Sequence, residues 1–66
     1  MKNLVVCWQH GQYPATRYWL ALPIDGPDPL TSRRSLALRV DKCQADRVID
    51  YWQPQESIYL VRAEPA

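Results

Sequence analysis

The chain opens on a short apolar run. Leu4, Val5, Val6, Cys7 and Trp8 follow one another without a polar interruption, rich in β-branched and aromatic side chains. That pattern predicts a largely buried strand. Gln9-His10-Gly11-Gln12-Tyr13-Pro14 is polar and carries both Gly and Pro, the mark of a turn. Over 16–24 the pattern alternates. Thr16, Tyr18, Leu20, Leu22 and Ile24 share one face; Arg17, Trp19, Ala21 and Pro23 share the other. This is the period of a second strand with one face in a core, joined to the first as a hairpin.

Residues 25–35 break the rhythm. Gly26, Pro27 and Pro29 forbid regular structure, so a long irregular loop is expected there. Leu36, Leu38 and Val40 then alternate with Ser35, Ala37 and Arg39, which predicts a third strand. A helix follows. Asp41 suits an N-cap, and Gln44 stands three residues on, where a capping box needs it. Ala45, Val48, Ile49 and Trp52 recur at i, i+3, i+4, i+7, with Lys42, Asp46 and Asp50 opposite. Pro54 stops the helix. A last strand is expected over 57–63, with Ile58 and Leu60 facing the helix and Tyr59 and Val61 facing away. Residues 64–66 read as a polar tail.

The order β-β-β-α-β implies an α+β fold, a small antiparallel four-stranded sheet with one helix packed on one face. Residues 1–66 form a single small domain on this reading. The helix stripe is expected to meet Leu20, Leu22, Leu36, Leu38, Ile58 and Leu60. One helix cannot cover both faces of the sheet, so the helix-free face is where binding is expected.

Size narrows the function classes. The chain has 66 residues, 47% hydrophobic and 23% charged, with a net charge of +1. That is short for most enzyme architectures. No apolar stretch reaches the ~18 residues of a membrane span, and the start lacks the apolar stretch of a secretory leader, so a cytoplasmic location is expected. A core this small rarely supplies more than about 3–5 kcal/mol. A Cys7–Cys43 bridge would add about 3–4 kcal/mol, but two cysteines without a leader point instead to reduced thiols. Seven aromatics, none of them Phe, are the more plausible substitute for a staple.

Catalytic and metal motifs are thin. Cys7 and His10 have ligand spacing, yet a structural zinc wants four ligands and Cys43 stands alone. Cys43 near a helix start could pair with His10, the one imidazole, but no third member is evident. Asp46 and Asp50 lie on an exposed helix face, where solvent leaves nothing to split their acidities. The only glycines are Gly11 and Gly26, so no phosphate loop exists. A non-enzyme without metal or cofactor is expected.

Charge is distributed unevenly. Residues 1–40 carry five basic and two acidic groups; 41–66 carry three basic and five acidic. Arg17 and Arg39 are expected beside Trp19 on the helix-free face, with Arg33 and Arg34 in the adjoining loop. Arg, Trp and Tyr are the usual anchors of protein interfaces. The expected binding set is therefore Arg17, Trp19, Arg33, Arg34 and Arg39, with Tyr13 and Tyr59 behind them. A protein partner is the favoured reading, in the manner of small phage or mobile-element proteins that inhibit a host or defence complex. A homodimer through the same face is a second possibility. A single-stranded nucleic acid, its bases stacked on the rings, is the alternative.

Overall fold

The computed structural model describes residues 2–21 and 30–66. Four strands form one antiparallel sheet: β1 (Leu4–His10), β2 (Arg17–Leu20), β3 (Leu30–Thr31) and β4 (Tyr59–Pro65), in the spatial order β3-β2-β1-β4. One helix, α1 (Lys42–Trp52), packs on one face. The α+β architecture read from the hydrophobic pattern is the observed one.

The helix starts as its sequence dictates. The Asp41 carboxylate accepts the Gln44 backbone N–H at 2.8 Å, and the Gln44 side chain accepts the Asp41 N–H at 3.2 Å, a reciprocal capping box. Ala45 and Val48 are buried, with Ile49 and Trp52 half-buried beside them. They meet Val6, Trp8, Leu20, Val40 and Val61, and Trp8 stands edge-on to Trp52 at 6.4 Å. At the helix end Pro54 sits in a 3-10 turn, Gln53–Gln55.

β4 presents the opposite face from the one expected. Its register sets Val61 beside Trp8 and Leu60 beside Gln9. Tyr59, Val61 and Ala63 therefore face the helix, while Ile58 (56% exposed) and Leu60 (52%) stay in solvent. A one-residue change of phase exchanges the two faces of a strand. The observed phase sets Val61 against Trp8 and keeps the Arg62 guanidinium, on the face of Ile58 and Leu60, out of the core.

The third strand also moves. Residues 35–40 do not form it; Leu36 and Leu38 are exposed, and Arg34–Leu36 is a 3-10 turn. Val40 reaches the helix-side core and exchanges backbone hydrogen bonds with Leu4, and Ala37 packs on the other side of the sheet. β3 instead lies at the end of the expected loop, pairing Leu30 with Leu20 and Thr31 with Trp19. With that edge of β2 taken, the chain crosses the helix-free face on its way to Asp41. The expected second strand over 16–24 is observed as Arg17–Leu20; Leu22, Ile24 and 25–29 of the loop lie outside the described residues. The expected polar tail is strand as far as Pro65.

At the outer edge of β4, Gln53 closes two backbone groups. Its amide oxygen accepts the Val61 N–H at 2.8 Å, and its nitrogen donates to the Tyr59 carbonyl at 3.4 Å. The side chain stands in for a neighbouring strand, a common way to blunt a sheet edge. At the other side of β4, the Gly11 N–H donates to the Ile58 carbonyl at 2.9 Å. A Cβ at position 11 would lie 3.2 Å from that oxygen, so the close approach favours glycine.

Candidate functional site: the helix-free face

Alternate residues of three strands point away from α1. β1 contributes Val5, Cys7 and Gln9, β2 contributes Arg17 and Trp19, and β4 contributes Leu60, Arg62 and Glu64. Cys7 is paired across the ladder with Trp19 on one side and Arg62 on the other. Trp19 thus faces away from the helix, as the alternation predicts.

It is not exposed, however. Trp19 retains 8% of its accessible surface and clusters with Val5 and Cys7 under Ala37. The covering segment is 33–37, the crossing that replaces the expected third strand. Its fastening is polar. The Trp19 indole N–H donates to Glu64 Oε1 at 2.9 Å, and the Arg34 Nε donates to the same oxygen at 3.5 Å. Arg34 also donates to the Pro65 carbonyl. The Trp19 N–H, with Arg34 adding to it, holds the Glu64 carboxyl below its ordinary value against the opposing effect of partial burial. Burial and the Glu64 charge push the Cys7 thiol up, more than Arg17, Arg62 and Arg34 pull it down. A raised thiol pKa in an apolar site makes an unreactive cysteine. Cys43 is exposed on α1, and both thiols are free.

The expected binding residues separate into two groups. Arg17 is half-buried on the face and donates to the Pro14 carbonyl at 3.3 Å. Arg33, Arg34 and Arg39 are exposed on the crossing segment, where Arg34 and Arg39 line one groove with Val5. Arg34 and Trp19 meet at Glu64, and Arg39 shares the groove with Arg34. Tyr59 does not join them, because the phase of β4 turns it to the helix side. Tyr13, 64% exposed, stays on the hairpin turn against His10, at 4.9 Å between ring centres. His10 in turn meets Tyr59 at 5.2 Å, and its Nδ1 accepts the backbone N–H groups of Gln12 and Tyr13.

Two charged members of the face, Arg62 and Glu64, were not in the expected set. Arg62 lies within the expected last strand and Glu64 continues its alternation one residue past it. The signal for them was present, since Leu60, Arg62 and Glu64 are spaced by two.

The result is a face in two parts. One is sealed by the crossing segment. The other is open and carries Gln9, Arg17, Leu60 and Arg62, with Ile58 at its end. Among the described residues, Glu64 is the one carboxylate on this face, beside the guanidinium groups of Arg17, Arg34 and Arg62, and Arg34 is bonded to it. A surface with surplus cationic charge and exposed leucine can bind an anionic surface. Among the described residues, no three His, Cys, Asp or Glu side chains assemble into a metal-binding group. None of the described helices is long and apolar enough to cross a membrane. No protein-family model, curated protein or solved structure matches the chain.

Proposed function

We propose that this chain is a non-enzymatic binding protein that covers an acidic surface of a protein partner with the open part of its helix-free face. The observation that carries the reading is the charge imbalance on that face among the described residues: Arg62 stands next to exposed Leu60 on β4, Arg17 lies across Gln9 from Leu60, and the Glu64 carboxylate is already engaged by Trp19 and Arg34. Arginine beside an apolar contact is a favoured composition for interface centres. Arg33 and Arg39 extend the cationic surface along the crossing segment and steer an anionic partner. The action is steric occlusion, as in a small inhibitor of a larger complex, and a cytoplasmic location, in which Cys7 and Cys43 stay reduced, is part of the same proposal.

Trp19 has a changed role in this reading. It anchors the crossing segment and not the partner. That change also weighs against a single-stranded nucleic acid, because base stacking needs an open ring face and the indole of this face is covered.

The test is retention of binding partners by immobilised protein at low and high salt, comparing the native chain with Arg17→Glu/Arg62→Glu and with the opposite-face control Asp46→Lys/Asp50→Lys. A protein retained by the native chain and the control, lost from the arginine variant and resistant to nuclease is the expected result. Retention unaffected by the arginine changes contradicts the proposal. Loss on nuclease treatment, with a steep fall in binding as salt rises, assigns the face to nucleic acid. A dimer in solution that dissociates in the arginine variant assigns it to a second copy.

A further inference from the structure

The helix side of the sheet carries a second feature, independent of the arginine face. Among the described residues, α1 packs against β1 and β4 and does not reach the part of the sheet toward β2 and β3. There a groove of about 410 Å³ is lined by Trp8, Tyr18, Leu30, Ser32, Glu56 and Tyr59. That volume falls within the range of small-ligand sites, roughly 300–1,000 Å³. Trp8 and Tyr18 are cross-strand neighbours, and Tyr18 meets Tyr59 edge to face at 6.2 Å. Trp8 is buried at 3% exposure, so the accessible aromatic lining of the groove is that of the half-buried Tyr18 and Tyr59. Glu56, held by the turn after α1 through its N–H to the Gln53 carbonyl, brings a carboxylate to the rim. Among the described residues no cation pairs with Glu56, and no cationic side chain lines the groove.

This lining selects its ligand by exclusion. An anion would meet the Glu56 charge and the electron-rich ring faces, both repulsive. A neutral apolar body would fill the groove but strip water from the carboxylate without replacing it, which is costly. A cation with an apolar shell satisfies both components: the rings attract it through their quadrupoles, and the carboxylate neutralises it. Ser32 adds a hydroxyl that can bond a polar tail. We infer that this groove binds an alkylated ammonium group, either of a free small molecule or of a methylated lysine side chain.

The test uses choline chloride as the probe and its carbon isostere, dimethylbutanol, as the neutral control. Amide and indole resonances of isotopically labelled protein are followed during each titration. Choline is expected to shift the signals of Trp8, Tyr18, Ser32 and Glu56 saturably, with Arg17 and Arg62 as unmoved references. The isostere should bind about tenfold more weakly or worse, and Glu56→Gln should weaken choline by a similar factor. Glu56→Gln changes a surface side chain with no hydrogen bond of its own among the described residues, so the variant keeps its fold. A trimethyllysine peptide run in parallel distinguishes the two sources: tighter binding than choline assigns the groove to a modified protein, weaker binding to a free cation. Absence of saturable shifts with either cation, equal binding of the isostere, or unchanged affinity in Glu56→Gln overturns the proposal.

Discussion

On the helix side of the sheet, Val6, Trp8, Leu20 and Val61 meet Ala45 and Val48 with no ionised group among them. On the other side, Val5, Cys7 and Trp19 lie beneath a short crossing segment that one carboxylate helps to fasten. Both layers exclude water, but by different means. The helix seals mainly by apolar area, with the Asp41 cap as its ionised contribution, so it depends on pH less than the other layer does. The crossing segment seals through Glu64, so part of its contribution depends on ionisation. It also covers less. Arg17, Leu60 and Arg62 remain beyond it, and the weaker seal thereby leaves the surface to which binding is assigned.

Substitutions rank the two seals. Trp8→Ala opens a large cavity on the helix side at a cost of about 3–5 kcal/mol. That equals the whole stability typical of so small a core. The variant is expected to be unfolded by circular dichroism at room temperature. A cooperative melt near that of the native chain would mean that the helix-side core is not the main source of stability.

Glu64→Gln is the next largest. It weakens the bonds from Trp19 and Arg34 together and should cost about 1–3 kcal/mol by urea denaturation. The native chain should show the same loss with acid. The Glu64 carboxyl is lowered in the folded state from an ordinary 4.5. Its contribution is therefore complete above that value and disappears as pH falls below it through the folded-state pKa. Glu64→Gln should lack this component, so the stability gap between variant and native chain should close on acidification. A gap constant with pH would remove Glu64 from the seal.

The smallest effect is at the helix start. Asp41→Ala removes the acceptor of the Gln44 N–H and should cost about 1 kcal/mol, read as a lower urea midpoint with an unchanged slope. A loss as large as that of Glu64→Gln would show that the helix-side layer depends on polar fastening after all.

Sequence pattern reached one layer better than the other. The helix, its cap and its buried stripe were legible because i, i+3, i+4, i+7 spacing and a capping box are local signals. The facing of β2 was legible for the same reason. The phase of β4 was harder, because Ile58 and Leu60 are as apolar as Val61 and Ala63, and cross-strand pairing with Trp8 chooses between them. The crossing segment was not legible as such. Leu36 and Leu38 alternate like a strand, but the ladder beside β2 is formed by Leu30 and Thr31, and Leu38 adds one bond, from its N–H to the Leu20 carbonyl at 2.7 Å; no local period records that competition between distant residues. The same gap hid the role of Glu64, whose partners stand 45 and 30 residues away.

The inward, fastened Trp19 is the point on which the division of labour between the two faces depends. It can be read directly from the three indole N–H resonances of labelled protein followed through an acid titration. The Trp19 signal is expected to exchange slowly with water and to move with the Glu64 carboxyl at a midpoint below 4.5, and the shift should vanish in Glu64→Gln. A Trp19 signal that exchanges as fast as a free indole and ignores the titration would put the ring in solvent and return it to the binding surface.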